Sequence, residues 1–229
     1  MPTDLALLTF VKFPEPGKVK TRLAAAVGPE LAAELYHHFI DATFACAGQL
    51  KNAAQFAAFT PAEKAPAFQH LFRGERQWLA QVPAPDLGTR MRAAVQTMLQ
   101  RGYGRVLIIG SDSPDLPAAH LNEAADAVRT HDLVLGPAED GGYYLIGLKS
   151  DEAALFEDIA WSTASVLQQT LAAAQRLRLR VHLLPHWYDV DDLPALQRYC
   201  LTNDLPPALV TRLKPLLAGK LMDYRTLLA

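Results

Sequence analysis

Two short apolar runs constrain this chain most: residues 5–11 (LALLTFV) and 105–109 (RVLII). Each is too short for a buried helix. Each is also too uniformly apolar for a strand with one wet face, so both are expected to be strands covered on both sides. Between and after them lie segments with helical spacing. Residues 29–50 carry Leu31, Leu35, Phe39, Ala42 and Cys46 on one face, with Pro29 at the first turn. Residues 87–101, 116–130 and 162–176 are expected to be helices, the last capped by Ser162, and the chain after Asp192 is expected to be helical. Residues 55–60, 133–136, 143–148 and 180–184 are expected to be strands. Strands spaced by helices in this way predict βαβ units, a mainly parallel sheet and a single α/β domain over residues 1–229 with a helical C-terminus.

The composition narrows the function classes. Lys and Arg number 22 against 24 Asp and Glu, for a net charge of -2, so no cationic surface for a nucleic acid polymer is indicated. No apolar run reaches the roughly 18 residues of a membrane span. The first residues lack the basic and small-residue pattern of a secretory signal. Cys46 and Cys200 form no metal or disulfide pattern, and a cytoplasmic setting is expected.

In open α/β sheets, ligands bind beyond the carboxyl ends of the strands. Four segments there carry chemistry. KFPEPGKVKTRL, after the first strand, places Lys12, Lys18, Lys20 and Arg22 around Pro14, Pro16 and Gly17. Cations and free backbone N–H groups suit phosphate, although neither a Walker A loop nor a GxGxxG fingerprint is present. GSDSPDLP, after RVLII, offers Asp112 as a Mg²⁺ ligand and Asp115 as either a second ligand or a helix cap. PAEDGGYYLIG presents Glu139 and Asp140 as candidate general bases. Gly141, Gly142 and Tyr143 beside them form either a substrate contact or a plain turn. DVDD supplies Asp189 and Asp191 as further metal candidates, with Asp192 as a helix cap. A weaker segment, DLGTRM, sets Gly88 and Arg90 at a helix start, as nucleotide contacts or simply an entry turn.

In this order, FVKFPEPGKVKTRL, DLGTRM, GSDSPDLP, EDGGYYLIGL, WSTASV (residues 161–166) and DVDD resemble one family. It comprises bacterial glycosyltransferases associated with arsenosugar and radical-SAM/selenodomain gene clusters. The family is similar to nucleotide-diphospho-sugar transferases of the GT-A fold and, distantly, to 2-phospholactate and molybdenum-cofactor guanylyltransferases. The resemblance implies the GT-A fold, a nucleotide-sugar donor, a small-molecule acceptor and Mg²⁺ or Mn²⁺ at Asp112, the position of that fold's DxD element. The opening loop departs from the Gly-rich pattern of sugar-nucleotide pyrophosphorylases, which favours glycosyl over nucleotidyl transfer. A non-catalytic nucleotide-binding module is the alternative of another class. From residue 205 onward, Leu209, Val210, Leu213, Leu216, Leu217, Leu221 and Leu227 suit a pair of amphipathic helices. Packing onto the same domain is favoured there over a homodimer contact.

Overall fold

The structure, a computed structural model, describes residues 3–217. Seven strands form one sheet: β1 (Leu5–Lys12), β2 (Ala54–Thr60), β3 (Gln77–Ala80), β4 (Arg105–Ile109), β5 (Leu133–Pro137), β6 (Tyr143–Leu148) and β7 (Val181–Leu183). Their order is β3-β2-β1-β4-β6-β5-β7. Every pairing is parallel except those of β6, which runs antiparallel to both β4 and β5.

The helices are α1 (Thr21–Val27), α2 (Pro29–Ala47), α3 (Ala65–Leu71), α4 (Leu87–Gln100), α5 (Ala118–Thr130), α6 (Val166–Arg176), α7 (Leu193–Cys200) and α8 (Pro207–Leu217). Alternation along β1 divides the core. Leu5, Leu7 and Val11 face residues of α2 and α5, whereas Ala6 and Leu8 face Met91 and Val95 of α4 and Ala173 and Ala174 of α6. Both faces of β1 are therefore covered, and its unbroken apolar run follows from that.

The chain winds outward from β1 through β2 to β3, then returns to place β4 on β1's other side. The strand order thus reverses between β1 and β4, where a crevice opens beyond their carboxyl ends. Tyr36 of α2 ties this point together: its hydroxyl accepts from the Lys12 backbone N–H at 3.1 Å and shares a hydrogen bond with Ser111 Oγ at 2.8 Å.

Several boundaries differ from the sequence expectation. Residues 21–23, read as the end of a basic loop, open α1, which buries Leu23 and Val27. The stretch between β2 and α4, to which the sequence patterns above assign no element, contains α3 and the edge strand β3. The sixth helix starts at Val166 and not near Ser162, because Ser162 adopts a left-handed turn conformation and Ser165 takes the N-cap position. Asp192 does cap α7, accepting from the Ala195 N–H at 2.9 Å. Leu209 and Leu213 of α8 pack into the same core as α1 and α2, so the described part of the C-terminal stretch covers its own domain. Leu221 and Leu227 lie outside the described residues. Both cysteines are free and buried, and no described helix is long and apolar enough to cross a membrane.

Candidate functional site

Lys20 precedes α1 in the left-handed backbone conformation, with φ 47°. Its side chain is only 3% exposed and ends between two loops that are distant in sequence. Nζ lies 2.5 Å from Asp112 Oδ1, on the loop after β4, and 2.8 Å from Asp191 Oδ1, beyond β7. Arg22 Nη2 reaches the other oxygen of Asp191 at 2.6 Å. The two acidic loops are also joined through the backbone, where Val190 N–H donates to the Asp112 carbonyl at 2.7 Å. Asp189, on the second of these loops, accepts from Ser113 Oγ, on the first, at 2.6 Å.

Burial works against the charge on Lys20, but Asp112 and Asp191 outweigh it and hold the ammonium's pKa above its ordinary value. Burial likewise opposes ionisation of Asp191, and Lys20 and Arg22 reverse that, lowering its pKa. Asp189 has no such partner. Burial first, then the neighbouring Asp112 charge, pushes its carboxyl up to about 7.

The Asp189 shift has a definite sign. The folded chain holds a proton on Asp189 that the unfolded chain releases near the ordinary value of 3.8. The associated stability is therefore present at acid pH and is lost as pH rises through about 7. Asp189→Asn, permanently neutral, should raise the melting temperature of the metal-free chain at about pH 8, with the gain shrinking toward about pH 4. Melting curves across that range check this; an equal gain at every pH would contradict it.

Two cavities meet at this cluster. The smaller, about 300 Å³, is lined by Lys12, Lys18, Thr21 and Tyr36 together with Lys20 and Arg22. The larger, about 540 Å³, has an apolar wall that includes Phe10, Met91, Tyr143 and Trp161, and a polar side formed by Asp112, Asp140, Asp189 and Asp191. Arg22, Asp112 and Asp191 belong to both. The arrangement can hold an anion on the cationic side while a second molecule lies against the aromatic wall.

Other expected site residues are placed differently. Asp115 neither caps a helix nor joins Asp112. Its oxygens are taken by Trp187 Nε1 at 3.2 Å, Tyr188 Oη at 2.5 Å and Asn203 Nδ2 at 3.3 Å. Glu139 points out of the cavity to Arg198, with contacts of 2.8 and 2.9 Å, while its neighbour Asp140 lines the cavity. Asp140 Oδ1 also accepts from the Gly142 N–H at 2.8 Å, which closes the turn. Gly141 faces protein and not ligand space, since a Cβ there would lie 2.2 Å from the Ala164 carbonyl oxygen. Gly142 and Tyr143 line the larger cavity, and Gly17 lines neither.

Gly88 and Arg90 are likewise outside the cavity walls. Gly88 leaves room for the Trp161 ring, whose atoms would be 2.4 Å from a Cβ, and Arg90 binds Gln81 Oε1 at 3.2 Å. The motifs DLGTRM and WSTASV therefore pack on each other at the cavity wall. Tyr36, Trp161 and Ser113 are site residues that the sequence reading missed. The WSTASV motif itself was the available signal for Trp161. Tyr36 carried only the weak signal of a polar-tipped aromatic within a buried helical stripe.

Among the described residues, no three His, Cys, Asp or Glu side chains form a ready-made metal site. The donor chemistry nevertheless suits a hard divalent cation. Three carboxylates (Asp112, Asp189, Asp191) face two cations (Lys20, Arg22), which leaves one negative charge uncompensated when all are ionised. Burial and the neighbouring Asp112 charge push the Asp189 carboxyl up to about 7, so the empty site favours a proton where a bound cation would supply the missing charge.

The strand order, the single antiparallel strand and the acidic loop after β4 together define the fold of nucleotide-diphospho-sugar transferases. Within that fold, the chain belongs to the family of uncharacterised proteins conserved in bacteria, DUF2064, whose model matches residues 43–163. It is 36% identical to a Desulfovibrio desulfuricans G20 protein provisionally assigned as a nucleotide-diphospho-sugar transferase. That match covers 96% of this chain and 100% of the other, with a TM-score of 0.87. Rv0371c from Mycobacterium tuberculosis H37Rv is similar in fold alone: 13% identity over 86% of this chain and 98% of the other, TM-score 0.54. The same holds for a CMP:2-keto-3-deoxy-manno-octonic acid synthetase bound to CTP, at 10% identity over 95% and 99% of the chains, TM-score 0.54. No curated protein matches by sequence.

Proposed function

We propose that the chain is a metal-dependent transferase that takes a nucleotide-diphospho-sugar donor and passes the sugar to a small acceptor. The observation that carries this reading is the wall of Arg22, Asp112 and Asp191 shared by the two cavities, with Lys20 on the smaller cavity's side and Asp189 on the larger's. Lys12, Lys20 and Arg22 would bind the diphosphate from the smaller cavity, since charge-assisted bonds to phosphate are the strong ones. Asp112, with Asp189 and Asp191, would hold Mg²⁺ or Mn²⁺, which supplies positive charge to the diphosphate as the sugar–phosphate bond breaks. The larger cavity would take the sugar and acceptor against Tyr143 and Trp161. Asp140, which lines this cavity while Glu139 is held by Arg198, would take the proton of an acceptor hydroxyl.

Arg22→Ala tests the phosphate assignment. Arg22 is largely exposed, so its loss should leave the fold intact. Losing one charge-assisted contact should weaken a nucleoside diphosphate about tenfold or more. The bare nucleoside should change by no more than about 0.5 kcal/mol. Calorimetric titration of both ligands measures the difference. Equal losses for both would contradict the assignment.

A further inference from the structure

The carboxylate pair assigned above to a divalent ion already carries a cation of its own. Lys20 Nζ contacts one oxygen of Asp112 and one of Asp191, and Arg22 takes the second oxygen of Asp191. The lysine is not a surface charge that has drifted inward. Its side chain is 3% exposed, it lies over the rings of Tyr36 and Phe39 at 5.6 and 5.7 Å, and its backbone accepts a left-handed conformation that L-residues seldom adopt. A divalent ion bound by the same two oxygens would sit about 2.0–2.6 Å from each, in the space the ammonium now fills. An ion bridging those two oxygens and the ammonium exclude each other.

Lys20 also explains how two like-charged loops, one after β4 and one beyond β7, stay together without metal. Each carboxylate repels the other unless a cation intervenes. The ammonium has somewhere to go when displaced, because Lys20 also lines the smaller cavity beside Lys12, Lys18 and Arg22.

We propose that Lys20 is the resident cation of the Asp112–Asp191 pair, and that a divalent ion gains the pair only when the ammonium moves onto an anionic oxygen of the incoming ligand. This rests on the metal-dependent reading above and adds an order to it. Metal and diphosphate bind cooperatively, since each removes an obstacle to the other. Lys20 is thus a positioning residue in the empty site and a phosphate contact in the filled one.

The test is Mn²⁺ binding to the full chain without nucleotide, followed by electron paramagnetic resonance, in the wild type and in Lys20→Met. Methionine keeps an unbranched stem and removes the charge. The variant should bind Mn²⁺ at least about tenfold more tightly than the wild type, because its competitor is gone. Equal or weaker binding in the variant, with the wild type binding well, overturns this inference and leaves the metal reading standing. Binding by neither, with none by the wild type after inorganic pyrophosphate is added, overturns both.

Should the variant fail to fold, nitrogen-15 NMR of the Lys20 ammonium in the wild type answers the same question. Mg²⁺ alone should leave the resonance in place, and Mg²⁺ with inorganic pyrophosphate should move it. Movement with Mg²⁺ alone, or none with both, overturns the proposal.

Discussion

Asp112→Asn is expected to weaken metal-dependent nucleotide binding by about a hundredfold while the fold persists. Asparagine retains the shape and one acceptor oxygen but loses the charge that attracts a cation. Asp112 side-chain exposure is 47%, and its backbone carbonyl, which accepts from Val190, is untouched by the change. Lys20 would keep its contact with Asp191. Circular dichroism should therefore report the native spectrum, and calorimetry with Mg²⁺ and a nucleoside diphosphate should report the loss. Wild-type affinity in that titration would remove Asp112 from the proposed metal site.

Gly141→Ala is expected to act on stability. Gly141 has φ +90°, a conformation in which a Cβ is strained, and the added atom would lie 2.2 Å from the Ala164 carbonyl oxygen. That obstacle is backbone and cannot rotate away. Strain and overlap together should cost at least about 3 kcal/mol, a large share of the roughly 5–15 kcal/mol that holds a domain folded. For a chain of this length the melting temperature should fall by about 6–12 °C. A fall below about 2 °C would mean that the turn relaxes easily.

Gly141 also shows where sequence reasoning reached its limit. A glycine pair after two acids is equally consistent with a ligand contact and a plain turn, and the residue that decides the matter, Ala164, is remote in sequence. The same holds for the neighbours Glu139 and Asp140. Adjacent loop residues point apart, so only Asp140 enters the cavity, and Arg198 of α7 draws Glu139 away. Asp115 was indistinguishable from a ligand until Trp187, Tyr188 and Asn203 were seen to surround it.

The central strands were legible because burial on both faces leaves an unbroken apolar run. The edge strand β3 has only its two middle residues partly buried and leaves no such trace. The helix α1 was hidden because it is seven residues long and its register is set by a left-handed lysine, which no hydrophobic period reveals. Lys20, Arg22, Asp112, Asp189 and Asp191 could be grouped in advance for one reason. Each follows a strand or opens a helix at the same edge of the sheet, and topology does the rest.

The proposed reaction at this site is transfer of a sugar from a nucleotide-diphospho-sugar to a small acceptor. Phosphorus-31 NMR of the chain with Mg²⁺, offered a panel of nucleotide-diphospho-sugars and nucleoside triphosphates together with small hydroxyl-bearing and phosphorylated acceptors, is the test. A nucleoside diphosphate should appear from a nucleotide sugar, dependent on Mg²⁺ and lost in Asp112→Asn. Inorganic pyrophosphate released from a nucleoside triphosphate, with every nucleotide sugar left intact, would contradict it.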